Sequence, residues 1–395
     1  MKKYIFLIWA LGAVVALLGG HAALGAGLGL GLFVWLAVET QRRQQFSFLA
    51  RNPGLQRVVS LPQLHVGFVS EHSEHALLVE HNTKLSLVRF KDASIEWQKS
   101  FEAAAQAVAV GPEGRLYYAT ETELVLCDAQ GRDAARLAFE PPLYRQGYRI
   151  LLSGDGRTLA LHTPWFIQFA ATDLSALGQR IRYEDAGHYL KYAALSADGR
   201  GLLLAGALLL DVDEDSTSGM EARWDYWTCD DAGHWAQAWA KAYESYNNTH
   251  LRGVAIQAGT LLAEVYQQGY EFRLYRADGT ALWERPGGER ALLSPDGTHL
   301  VWQNEFDETR LSSVHDKAER WKRKNEALVR LKAVDDQGRV FLVEGRRLSV
   351  LDAKGQLVWE DYFKEDPSSL ALGSGGRLLV TKGDKAGLIM VPFDV

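Results

Sequence analysis

The sequence predicts an all-β propeller of four-stranded blades behind an N-terminal transmembrane helical hairpin. Three observations predict it. A short turn, Gly-Arg or Gly-Thr after a small or acidic residue, recurs about every 40 residues, at 112–115, 154–157, 197–200, 295–298, 336–339 and 374–377. Weaker copies lie at Ser73–Glu74 and Ala258–Thr260. A period of that length with room for four short strands is the signature of propeller blades. Between the turns, apolar and polar residues alternate with period two, as in strands. Ahead of the repeats, residues 4–38 carry no Asp, Glu, Lys or Arg.

The apolar run is taken first. One straight helix over it would be about 50 Å long, against a hydrocarbon core of about 30 Å. Two short helices, 3–18 and 22–39, fit better, with a break at Gly19-Gly20-His21. Gly25/Gly29 and Gly27/Gly31 form two small-xxx-small pairs on the second helix, suited to close helix packing within the hairpin or against a partner. Lys2 and Lys3 precede the run, and Arg42, Arg43 and Arg51 follow it. Positive residues at both ends place both ends in the cytoplasm. A single tilted span and a cleaved signal peptide are the alternatives. The division is therefore a membrane segment 1–40, a basic linker 41–54 and a propeller 55–395.

Residues 329–361 give the clearest repeat: strands at 329–334, 339–344, 348–352 and 356–360, separated by turns at 335–338, 345–346 and 353–355. Gly at such turns supplies the positive φ that twisted hairpins need. Eight turns imply eight blades, with seven as the alternative. The last repeat has room for only three strands, about 369–372, 377–382 and 387–392. A strand at 55–60 supplies the fourth and closes the ring from both chain ends.

The run Leu351-Asp-Ala-Lys-Gly-Gln-Leu-Val-Trp359 resembles the blade motif of bacterial quinoprotein-like propellers, in which an Asp-Ala-x-Gly turn leads into a strand ending in Trp. Further copies are Arg276-Ala-Asp-Gly-Thr-Ala-Leu-Trp283 and, without the Gly, Lys91-Asp-Ala-Ser-Ile-Glu-Trp97; the Trp is missing after Gly131. Ser294-Pro-Asp-Gly297 resembles the turn of WD-repeat blades. The quinoprotein resemblance implies a quinone cofactor held near a vicinal cysteine pair and a calcium-bound carboxylate. Here Cys127 and Cys229 are about a hundred residues apart and read as two reduced core thiols.

The interval between Gly199 and Gly259 is 60 residues and holds an insertion at about 211–246. Its tryptophans, Trp224, Trp227, Trp235 and Trp239, form either an exposed partner-binding platform or two long strands packed between blades. Asp211, Asp213 and Asp215 have the spacing of a calcium loop, although Ser216 and Ala222 depart from the full pattern. A solvated acidic loop is the alternative reading. His65, His72, His75 and His81 read as surface and turn histidines, because ligands on opposite strand faces do not converge.

The net charge of −6, with both signs dispersed, excludes a nucleic-acid footprint. No nucleophile elbow, phosphate loop or zinc-binding pair occurs, so no enzyme and no cofactor other than calcium is expected. The expected function is a scaffold or accessory subunit of an inner-membrane complex, with protein partners and the propeller in the cytoplasm. A periplasmic propeller assisting envelope or outer-membrane protein assembly and a ligand-sensing propeller are the alternatives.

Overall fold

The structure is a computed structural model that describes residues 61–390 apart from connecting segments, the longest being 210–219. The expected hairpin, linker and closing strand at 55–60 lie outside the described residues, as do Gly25, Gly27, Gly29 and Gly31. Among the described residues no helix is long and apolar enough to cross a membrane.

The described strands form eight four-stranded antiparallel sheets. Seven of them take four consecutive strands each. After β1 (Leu61–Pro62), which joins the eighth sheet, the first runs β2 (Val66–Val69), β3 (His75–Glu80), β4 (Lys84–Arg89) and β5 (Ile95–Ser100). The second runs β6 (Ala107–Val110), β7 (Leu116–Ala119), β8 (Glu123–Cys127) and β9 (Asp133–Ala138). The third runs β10 (Arg149–Leu152), β11 (Leu159–His162), β12 (Phe166–Ala170) and β13 (Leu177–Arg182). The fourth has the long strands β14 (His188–Leu195), β15 (Gly201–Leu209), β16 (Met220–Cys229) and β17 (Trp235–Tyr243). The fifth runs β18 (His250–Gln257), β19 (Thr260–Tyr266), β20 (Tyr270–Arg276) and β21 (Ala281–Pro286). The sixth runs β22 (Gly288–Leu293), β23 (His299–Asn304), β24 (Glu308–Ser313) and β25 (Glu319–Lys324), and the seventh β26 (Val329–Val334), β27 (Val340–Glu344), β28 (Arg347–Leu351) and β29 (Leu357–Tyr362). The eighth joins β30 (Ser369–Gly373), β31 (Arg377–Lys382) and β32 (Lys385–Met390) to β1, with Leu61 opposite Ala386 and Pro62 opposite Lys385.

First strands pack on first strands: β2 on β6 and β30, β6 on β10, β10 on β14, β14 on β18, β22 on β26 and β26 on β30. They make the inner layer, and each fourth strand is an outer edge. The predicted turns connect first and second strands, and Gly114, Gly156, Gly199, Gly259, Gly297 and Gly338 all have positive φ. The long interval is absorbed by lengthening β15, β16 and β17 to 9, 10 and 9 residues and by the connection 210–219.

Among the described residues, apolar side chains cluster in the joints between sheets. Two kinds of joint occur. In the first, a Trp on the fourth strand of one sheet covers the Gly of the third turn in the next. A Cβ built on Gly131 would stand 2.7 Å from Trp97 Cε3, and one on Gly355 2.9 Å from Trp321 Cγ; Gly279 meets Trp239 in the same way. These turns need Gly twice over, for positive φ and for the ring. The Asp-Ala-x-Gly and Trp elements legible in sequence are therefore two halves of one contact, made between neighbouring repeats. In the joint between the fifth and sixth sheets the turn carries Lys317 at φ 57°, and Trp283 packs beside Phe272.

The joint between the third and fourth sheets is of the second kind. No atom lies within 4 Å of a Cβ built on Gly233. Trp235 instead stacks on Phe169, with ring centroids 4.4 Å apart and planes 12° apart. Gln179 pairs with the Trp235 backbone, its Nε2 donating to the carbonyl at 2.9 Å and its Oε1 accepting from the amide at 2.8 Å. Both cysteines are free; Cys127 is buried, which pushes its thiol up to about 12.

Candidate functional site

The outer edge of β29 is the feature of the surface that packing does not explain. Its sequence, Leu-Val-Trp-Glu-Asp-Tyr, ends the order β26-β27-β28-β29, so one side of its backbone pairs with β28 and the other is a sheet edge. Leu357, Val358 and Tyr362 are 50%, 48% and 54% exposed. With Ile95 and Leu177 they are the exposed large hydrophobic residues among those described. Sheet edges are usually guarded by cationic side chains against pairing with another chain. β25 carries Arg320, Lys322, Arg323 and Lys324, β13 carries Arg180 and Arg182, and β5 carries Lys99. β29 carries no Lys or Arg, only Glu360 and the buried Asp361. Alternating residues on a free apolar edge suit addition of an extended partner segment.

A second polar centre lies in the joint between the third and fourth sheets. The buried Asp225 carboxylate on β16 accepts hydrogen bonds from Tyr183 Oη across the joint, from Arg223 Nε at 2.7 Å and from Gln237 Nε2 at 3.0 Å. Burial first, and then the adjacent Asp225 charge, hold the Tyr183 phenol well above its ordinary range. With three donors on one carboxylate, this centre pins the joint rather than offering a reactive group. Glu344 does the same between the sixth and seventh sheets, accepting from Arg323 Nη2 at 3.0 Å and from Arg347.

The structure places the four insertion tryptophans in two separate joints. Alternation puts Trp224 and Trp227 on opposite faces of β16, and a β-bulge that leaves Ala238 unpaired does the same for Trp235 and Trp239 on β17, so the set divides between two joints. Trp224, 1% exposed, and Trp239 pack toward the fifth sheet with Tyr226 and Tyr275. Trp227 and the buried Trp235 pack toward the third. Trp239 Nε1 donates to the Ala277 carbonyl at 2.9 Å, again across a joint. Asp211, Asp213 and Asp215 lie outside the described residues. Among the described residues no group of three His, Cys, Asp or Glu side chains could hold a metal ion.

Sequence reasoning passed over both the β29 edge and Asp225. The signal for the first was present, since 357–362 lacks the Lys or Arg of other fourth strands. For the second it was a single carboxylate inside the aromatic run 224–227.

No family model matches the chain, and no curated protein matches it by sequence. Solved structures do match it by shape. BamB from Moraxella catarrhalis superposes with a TM-score of 0.55 at 14% identity, covering 86% of this chain and 99% of that one. The C-terminal WD40 domain of Sif2 superposes with a TM-score of 0.58 at 12% identity, with the same coverage of 86% and 99%. The chain is a β-propeller. In this fold a four-stranded sheet of this kind is a blade, with its first strand innermost. The expected likeness to both quinoprotein-like and WD-repeat propellers holds at the level of the fold.

Proposed function

We propose that this chain is a membrane-anchored, eight-bladed propeller, closed by β1 on β32, that serves as a protein-binding scaffold or accessory subunit of a membrane complex. The observation that carries the binding role is the outer edge of β29, apolar, exposed and without guarding cations. An extended partner segment would pair with its free backbone groups and cover Leu357, Val358 and Tyr362. The anchor rests on the apolar run 4–38 and its flanking charges. The eight-bladed ring is supported by the eight four-stranded sheets and the pairing of Leu61 with Ala386.

The test is site-specific photocrosslinking in intact membranes. A crosslinker at Val358 is expected to give a discrete protein adduct that Leu357→Lys removes. The same crosslinker at Arg157, an exposed turn residue of the third blade, should give none. Equal adducts at both positions, or none at Val358, would sink the binding edge. A reporter after Val395 then separates the cytoplasmic scaffold from the envelope-side alternative.

A further inference from the structure

Among the described residues, several half-buried arginines of this propeller have a carboxylate partner. Arg180 meets Glu140, Arg223 meets Asp225, Arg273 meets Glu271, Arg310 meets Glu308 and Glu319, and Arg339 meets Asp335. Arg149 and Lys191 depart from this. Among the described residues neither has a carboxylate partner; each lies against the ring of Tyr192. Arg149 Cζ is 5.5 Å and Lys191 Nζ 5.7 Å from its centroid.

The topology explains why two cations meet there. Arg149 opens β10 and Tyr192 lies on β14, both inner strands of neighbouring blades. Tyr192 packs toward the fifth blade, so Arg149 must cross the inner edge of β14 to reach it. Lys191 is the extra residue of a β-bulge between Leu190 and Tyr192, a device that re-aims a side chain out of the pleat. The cations thus sit on the inner layer, Arg149 at the end of β10 away from the Gly156 turn and Lys191 midway along β14.

His162 stands directly opposite Arg149 in the β10–β11 ladder. It is 2% exposed, and neither ring nitrogen has a hydrogen-bond partner among the described residues. Leaving a buried polar group unsatisfied is costly, and such groups in a fold call for a reason. Burial, and next the Arg149 charge, push its pKa down to about 3, so the ring is neutral and offers one N–H donor.

We propose that Arg149, Lys191 and His162 form a binding site for a carboxylate, at the inner end of the joint between the third and fourth blades. The guanidinium fork matches a planar carboxylate through two parallel N–H donors, the ammonium adds a second charge, and the imidazole N–H a further donor. Tyr192 holds both cations in place before the ligand arrives. In a chain of net charge −6 this is a local reversal of sign, which directs an anion to one place. The carboxylate belongs either to an acidic side chain of a protein or to a free small dicarboxylate. The site is separate from the β29 edge and stands without it.

The experiment uses the full chain in detergent at low ionic strength, with two probes: a labelled Glu-rich peptide, set against its Gln-substituted counterpart, and succinate. Binding is read by anisotropy and calorimetry, and the His162 ring by histidine-selective NMR. At least one probe is expected to bind. Arg149→Gln and Lys191→Gln should each weaken it about tenfold or more, while Arg157→Gln leaves it unchanged. Saturation should raise the His162 pKa, which a merely structural cluster would not show. Peptide binding alone assigns the carboxylate to a protein, and succinate binding to a small molecule; both support the site. Absence of binding by either probe at millimolar concentration overturns it, as does equal binding in folded Arg149→Gln and Lys191→Gln. Crosslinking at Val358 in the same variants reports separately on the β29 edge.

Discussion

Two joints of this propeller hold neighbouring blades together by different means. Between the first and second blades, Trp97 lies over Gly131 inside an apolar cluster with Leu85, Leu87, Leu116 and Val125. An ion pair, Lys99 to Asp133 at 2.5 Å, sits beside it. Between the third and fourth blades, the turn at Gly233 is uncovered, and the joint is held by Phe169 on Trp235, by Gln179 on the Trp235 backbone and by Tyr183 on Asp225. The difference teaches that the repeat fixes the backbone of a joint without fixing its chemistry. Where a repeat lacks its Trp, the neighbouring blade recruits hydrogen bonds instead.

The largest expected effect comes from removing the Trp of the first joint. Trp97→Ala should cost about 4 kcal/mol through lost burial and a residual cavity, read as a lowered urea midpoint. A loss below about 1 kcal/mol would mean that the ring only covers the turn. In the second joint, Asp225→Ala removes the acceptor shared by Tyr183, Arg223 and Gln237 and should cost about 3 kcal/mol. Asp225→Asn, which keeps an acceptor, should cost less; equal losses would show that the charge and not the hydrogen-bond geometry matters.

A finer comparison uses one substitution in both joints. Ala at Gly233, where φ is +83° and a Cβ meets nothing, should cost only the backbone term, about 1 kcal/mol. Ala at Gly131 pays a similar term at φ +76° and also drives the Cβ into Trp97, so its loss should be at least twice as large. Equal losses would remove the Trp-on-Gly contact from the account. A last effect is graded by pH and is absent at neutral pH. His162 has a folded pKa near 3 against about 6.5 in the unfolded chain. The unfolded chain therefore takes up a proton below pH 6.5 that the folded chain refuses. Stability from this group is fully present above pH 6.5 and falls by about 1.4 kcal/mol per pH unit below it, until about pH 3. His162→Gln should flatten the pH dependence of the urea midpoint between pH 4 and 6 relative to the parent chain.

Several of these elements were open to a reading of the sequence, others were not. The strands at 329–334, 369–372 and 377–382 were placed within a residue or so, because alternation and turn residues act over a few neighbours. Both halves of the Trp-on-Gly contact were visible, but their pairing across adjacent repeats was not, since one repeat does not specify which face meets which. Trp224, Trp227, Trp235 and Trp239 looked like one feature because they are close in sequence. Strand alternation on β16 and a β-bulge on β17 send them to two joints.

What the sequence by itself determined is the repeat: its period, its strands, the glycines at positive φ and the fold class that follows. Those depend on local backbone preference and on period-two patterning, both written in short segments. What only the tertiary structure decided is which distant groups meet: Tyr183 with Asp225, 42 residues apart, Arg149 with Tyr192, and the free edge of β29. The physical reason is that blades stack on blades, so each contact joins two repeats, and no pattern within either repeat encodes the other's contribution.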